Sequence, residues 1–471
     1  MPPFLVRNRA WPAAVAVLSA AGSPAAAPAA RSDAPRRGVV EALERGAHPL
    51  RSTAPYGGTR DLRALGRMIG PARVVGLGEA THNSHEFFAL KHRVFRYLVE
   101  KKGFTTFMQE AGWGSGLRIN DYVRYGKGDL RKIMREEFQG DYVLWNNEEY
   151  RRLLMWMREY NRTHRKKLQY MGDDVVYPHV RIFQEIFRYV RKRHRPDLVP
   201  RLRRLYDGLI PTTPDTKAWN RAFQKKTPAE RRRVLRGSIR ALELLRTLRR
   251  GADPRAADWA EQQARVAIWV ARVSAPAAAT PALNRRDQGM AANTAWWYRH
   301  MKSKILLSAH NAHVGYAGLD PEHKIKRQGA RLRDTLGRRY VNIGLTFYRG
   351  SFNALDIRDP RRPMRRFTVG PPARGTGERV LDRVPYRDYM LDMRTVGRPA
   401  RSWLEGYRRT RNIGNVYPQP YDVLALRRTY EILIHLHRVR AAHLLDGTVH
   451  AAPPIRPPSR APSRARLPAT L

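Results

Sequence analysis

Five side chains in this sequence have the types and spacing of a proton-transfer set: Glu79 and His82, Glu110, and His310 and His313. Each follows a short apolar run that ends abruptly. Val74 to Leu77 stops at Gly78-Glu79, with His82 three positions on; Phe104 to Met108 stops at Gln109-Glu110; Ile305 to Ser308 stops at Ala309-His310, with His313 close behind. An imidazole beside a carboxylate makes a general base near neutral pH, because the carboxylate fixes the ring's tautomer and stabilises its charged form. A second imidazole pair can hold a substrate or donate to a developing oxyanion. A lone Glu and His after a strand read equally well as a helix cap and a satisfied core histidine. The repetition of the pattern at three strand ends favours chemistry.

For the five to meet, the runs must be neighbours in one sheet. A parallel sheet with helical crossovers brings the carboxyl ends of its strands to one edge. The sequence supports that arrangement. Gly76 and Gly78 permit close backbone approach, and Phe87, Leu90, Val94, Tyr97 and Leu98 recur at helical spacing up to Gly103. Further strand-like runs are Leu168 to Met171, which ends at Gly172-Asp173-Asp174, then Tyr340 to Phe347, Tyr389 to Met393 and Asp422 to Leu426. The expected fold class is α/β: a mostly parallel central sheet flanked by helices, with a helical insertion subdomain. Residues 35–179 and 281–447 form the α/β core in this reading, and 180–280 a basic helical insertion. Positions 181–255 hold 22 Lys or Arg against 7 Asp or Glu, and such a segment is suited to walling a cleft.

With 471 residues, 42% of them apolar, the chain can bury a substantial core. Zero cysteines exclude a disulfide scaffold, a thiolate metal site and a cysteine nucleophile. The net charge of +48 attracts anionic surfaces nonspecifically, but the basic residues are scattered and no zinc finger, KH loop or RNP-like strand is present. No specific nucleic-acid partner is therefore expected. Residues 1–34 read as a leader: Arg7 and Arg9, an apolar run from Trp11 to Ala21, then small residues to Ala30, the layout of a secretory signal. That reading implies a secreted or cell-envelope protein, and the alternative is a disordered Ala/Pro extension on a cytoplasmic one. The tail over 448–471 is Pro, Ala and Arg without periodicity and is expected to be disordered. The oligomeric state does not show in the sequence.

Taken together, Gly78-Glu-Ala-Thr-His82 with Glu86-Phe87, Glu110 in its Glu-Ala-Gly-Trp setting, Arg286-Asp287 followed by Met290, and Ala309-His-Asn-Ala-His313 resemble the erythromycin esterase family. The resemblance runs from about Gly76 to Leu426. It implies an α/β fold with a helical subdomain and hydrolysis of an ester or macrolide lactone, with no required cofactor or metal. His82 matches the family's water-activating histidine. Glu79 and Glu110 look like the carboxylates that orient base and water, and His310 and His313 like the second histidine pair. Arg286 resembles a basic residue facing the site, and Lys91, Asn311 and Trp113 fall with it on the substrate side. Three positions depart from the family: Lys91 where arginine is usual, Asn83 where glycine is common, and Ser308 where tryptophan is frequent. These departures are expected to bear on the substrate more than on the chemistry. The residues alone also admit a Zn- or Mn-dependent hydrolase in the same cleft, although no H-E-x-x-H spacing is present, or a noncatalytic polyanion-binding protein.

Overall fold

The structure is a computed structural model that describes residues 37–275, 279–317, 325–447 and 449–452. The leader read over 1–34 and the tail beyond 452 lie outside the described residues. Twelve strands are described: β1 (Ala47–Pro49), β2 (Val74–Leu77), β3 (Thr106–Gly112), β4 (Gln169–Asp174), β5 (Ile305–Ser308), β6 (Tyr340–Asp356), β7 (Met364–Val369), β8 (Tyr389–Asp392), β9 (Arg408–Thr410), β10 (Val416–Tyr417), β11 (Asp422–Leu424) and β12 (Ile432–Val439). The main sheet runs β1-β8-β12-β6-β2-β5-β3-β4, with β7 and β10 also paired to β6. From β12 to β4 every neighbouring pair is parallel, while β8 and β1 add antiparallel pairings at one edge. The fold is thus a mostly parallel α/β sheet flanked by helices, as the apolar runs predict.

Both faces of the sheet are covered, which is why its central strands read as unbroken apolar runs. In β2, Val75 and Leu77 join Leu306 and Phe107 in one core, packed with Phe87, Leu90, Val94 and Leu98 of the helix His85–Lys102. That helix ends where expected, on Gly103 at φ 70°. On the opposite face, Val74, Met108, Ile305 and Leu307 join a second core with residues of the helices between Val180 and Ser274 and of the helix Ala279–Met301. The helical segment begins its turns with local caps. Asp215 and Asp253 each accept two backbone N–H groups, and Thr227 forms a capping box with Glu230.

The order β2-β5-β3 is the arrangement that the five candidate residues require. Leu77 and Gln109 both lie opposite Ser308, so Glu79, Glu110 and His310 leave the sheet side by side. The sequence reading departs from the structure in several places, and the strand read as Tyr340 to Phe347 continues to Asp356. β3 and β4 run further than their apolar runs, to Gly112 and Asp174, with a register shift between Gln109 and Gly112. The strand at Asp422–Leu424 pairs with β9 in a separate two-stranded sheet instead of completing the main one. That place is taken by β12, whose His435, His437 and Arg438 conceal it from an apolar-run search. The tail also begins later than residue 448, since Arg366 of β7 accepts from the Ala452 N–H at 2.8 Å and donates to the His450 carbonyl at 2.9 Å.

Gly78 sits where backbone and side chain meet without room for a methyl. A Cβ there would run into Asn311 Oδ1, and that oxygen is fixed because Asn311 accepts from Leu345 N–H (3.0 Å) and donates to Leu345 C=O (2.7 Å). Gly78→Ala should therefore destabilise the protein by about 1–3 kcal/mol, the usual cost of overpacking a core, as read from urea midpoints.

Candidate active site

Glu79 is the anchor of the site. Its Oε1 lies 2.8 Å from His82 Nδ1, and its Oε2 accepts from the Lys91 ammonium, with all three side chains buried. An ionised carboxylate only accepts, so His82 Nδ1 carries the proton and Nε2 is left with its lone pair. Trp145 stands edge-on to the His82 ring at a centroid separation of 4.9 Å, and its indole N–H donates to the Glu110 carbonyl at 3.0 Å. The Lys91 ammonium also donates to Ser308 Oγ (3.0 Å) and to the Ala309 carbonyl (3.4 Å). Burial pulls its pKa below the ordinary lysine value, against the opposing pull of Glu79.

His310 faces His82 at 4.9 Å between ring centroids. Its Nδ1 accepts from the Ala312 backbone N–H (3.3 Å), so in the neutral ring the proton sits on Nε2. That Nε2 is buried and has no hydrogen-bond partner among the described residues. Burial, and then the nearby His82, hold the His310 pKa well below the ordinary histidine value, so the ring is a neutral donor. Gly414 closes over both rings: its backbone adopts φ 69°, a Cβ there would lie 3.7 Å from His310 Nε2 and 3.8 Å from His82 Cδ2, and its carbonyl accepts from His82 N–H at 3.0 Å.

Behind this pair lies a buried network of charges. Glu110 Oε2 accepts from the His310 backbone N–H (2.9 Å), while its Oε1 meets Arg286 Nη2 (2.8 Å) and His313 Nε2 (3.1 Å). Arg286 also grips Asp174 at 2.6 Å, and His313 Nδ1 lies 2.7 Å from Asp287, which is in turn bonded to Arg327 (3.3 Å) and to the Gln328 N–H (2.9 Å). Three carboxylates thus face three cations. Burial alone would lower the His313 pKa, but Glu110 and Asp287 on its two nitrogens raise it to about 10. Burial would likewise push Glu110 up, yet His313, His82 and Arg286 hold it well below the usual range. Asp173 goes the other way: burial and then Asp174 raise it well above an ordinary aspartate.

The five candidates from the three strand ends are therefore brought together. His82 and His310 face each other, Glu79 orients the first, and Glu110 with His313 fixes the turn that carries the second. The four residues assigned to the substrate side have other partners. Lys91 holds Glu79, Asn311 clamps β6, Arg286 is committed to Asp174 and Glu110, and Trp113 is buried with its N–H on Gln263 at 2.9 Å. A cleft of 620 Å³ lies beside the network, lined by Gly112, Ser115, Glu137, Tyr142, Tyr177 and His179, with further wall from the loop 211–214. Tyr142 connects the two, because its hydroxyl donates to Asp174 at 2.7 Å. Asp174 and Gly414 escaped the sequence reading. The first was visible as an acidic strand end, and the second has no chemistry of its own to signal it.

The His313 shift has a consequence for stability. Its folded pKa is raised from about 6.5 to about 10, so its contribution is complete below about pH 6.5 and is lost as pH rises through about 10. Stability measured between about pH 7 and 9.5 should fall with pH, and in His313→Gln the fall should be shallower by about 1.4 kcal/mol per unit. Equal slopes in urea unfolding would show that His313 is neutral in the native protein.

Residues 99–439 match the erythromycin esterase family. An erythromycin esterase type II from Escherichia coli is 26% identical over 330 residues, covering 65% of this chain and 76% of that protein. Among solved structures, a succinoglycan biosynthesis protein aligns with a TM-score of 0.77 and 28% identity over 86% of this chain and 98% of its own. An erythromycin esterase mutant in its open conformation aligns with a TM-score of 0.64 and 17% identity over 84% and 98%, a likeness of fold alone. With the family match spanning most of the chain, the protein belongs to the erythromycin esterase family of hydrolases.

Proposed function

We infer that this chain hydrolyses an ester or lactone with water activated by His82. The observation that carries the reading is the facing pair of imidazoles in opposite tautomers: His82 protonated on Nδ1 towards Glu79, and His310 with its Nε2 without a hydrogen-bond partner among the described residues. In the reaction, His82 Nε2 takes a proton from water as its oxygen bonds to the substrate carbonyl carbon. The carbonyl oxygen becomes an oxyanion and accepts from His310 Nε2–H. The tetrahedral species then collapses, the bond from carbon to the alcohol oxygen breaks, and the His82 imidazolium returns its proton to the leaving alkoxide. Glu79 stabilises that imidazolium.

The neutral state of His310 matters here, because a protonated ring beside His82 would repel the imidazolium as it forms. The neighbouring 620 Å³ cleft is within the range of small-molecule sites, and a macrolide lactone is the first substrate to try, given the Escherichia coli relative. A metal-dependent route through the same carboxylates is less well supported. A cation would have to displace Lys91 and His82 from Glu79, or Arg286 and His313 from Glu110.

His82→Ala should lower turnover of a responsive macrolide or simple ester by on the order of 100-fold to 10,000-fold, with the fold retained by circular dichroism. Glu79→Gln should fall in the same direction. Dialysis against a chelator should leave the initial rate within about twofold. Full activity in His82→Ala, or activity abolished by chelation and restored by Zn or Mn, would overturn the reading.

A further inference from the structure

A second group of ionisable side chains lies outside the catalytic set. His85 Nδ1 is 2.6 Å and His443 Nδ1 is 2.9 Å from the same oxygen, Glu149 Oε1, and the three donor atoms all lie within 4.8 Å of one another. The two rings stand almost perpendicular at 88°, with centroids 5.5 Å apart. We propose that these three residues form a binding site for a transition-metal cation of the zinc type.

The ligands come from three segments. His85 opens the helix His85–Lys102, Glu149 lies in the first turn of the helix Glu148–Thr163, and His443 follows β12. Main-chain hydrogen bonds already fix these segments to one another: His85 N–H to Arg440 C=O at 2.7 Å, Glu148 N–H to His443 C=O at 2.8 Å, and single bridges pairing Ser84 with Ala441 and Asn147 with Leu444. The site is therefore largely preformed, and a cation pays little to gather its ligands. Glu149 is buried, and its carboxylate oxygen is the point on which both imidazole Nδ1 atoms converge. His443 is largely exposed, with 71% of its side chain open to solvent, which leaves a route for the ion and a position for water.

Two imidazole nitrogens and one carboxylate oxygen suit zinc, which takes nitrogen and oxygen at about 2.0–2.2 Å in a tetrahedral set completed by water. Magnesium and calcium prefer oxygen alone. A bound ion would replace the shared contact on Glu149 Oε1, with each ring turning its Nδ1 lone pair to the metal and keeping its proton on Nε2. His85 stands three residues after His82, and the ion would not touch the reacting atoms.

The proposal is independent of the hydrolytic reading, because its test reads binding. Tag-free full-length protein, stripped with chelator and desalted, is titrated with Zn²⁺ by calorimetry and melted with and without it. One equivalent should bind and raise the melting temperature, and equimolar Mg²⁺ should do neither. His443→Ala, an exposed change, and His85→Gln should keep the native circular dichroism and each weaken zinc binding by at least about tenfold. Absence of stoichiometric binding by the unaltered protein, or undiminished affinity in both variants, would overturn the site.

Discussion

A carboxylate as deeply buried as Glu110 persists as an anion only where cations and N–H groups stand in for lost water. It receives them from two other elements: Arg286 from the helix Ala279–Met301, and His313 with the His310 N–H from the turn after β5. Satisfying one side chain thus joins β3, the turn after β5 and the long helix at a point. The position of His310 follows from that demand. Its backbone is tied to Glu110 and its ring is carried to the face opposite His82, which Glu79 has already oriented. The same demand extends outward through Arg286 to Asp174 and Tyr142, so the wall of the cleft and the turn that carries His310 belong to one electrostatic unit.

The strand ends were legible in the sequence because a strand covered on both faces leaves a run of apolar residues, and the run's end marks the functional edge. β2 and β5 appear with the same bounds in sequence and structure. β12 was not legible, since the histidine at 435 looks like a break in the strand. It is fully buried in a place where Thr346 and Asp382 satisfy both ring nitrogens, and partners from distant segments are invisible to a local reading. The length of β3 was hidden for a similar reason. Gly172 lacks a side chain where the Ala111 and Gly112 carbonyls press close, so β3 and β4 stay paired past the end of the apolar run.

The structure brings His82 and His310 face to face and gives the polar residues around them partners within the protein. Lys91, Asn311 and Arg286 are polar residues close to the motifs, which suggests contact with a substrate. Once buried, though, each must find a partner, and the nearest were the site's own carboxylates and a neighbouring strand. Gly414 is the converse case. It contributes no functional group, and its place against both imidazoles comes from a segment that folds back across the turn after β2, where Ile413 N–H donates to the Ala80 carbonyl at 2.6 Å.

Two of the positions that the sequence reading singled out as unusual, 91 and 308, touch in the structure. The Lys91 ammonium donates to Ser308 Oγ at 3.0 Å, and the Tyr150 hydroxyl lies 3.0 Å from that same oxygen. Lysine offers three donors from a compact charge, where arginine offers a planar fork. Here the three are used on Glu79, Ser308 and the Ala309 carbonyl. Lys91 and Ser308 are both fully buried, and neither lines the cleft. The ammonium that meets Glu79, whose other oxygen holds the His82 ring, is therefore itself held by Ser308 and the Ala309 carbonyl.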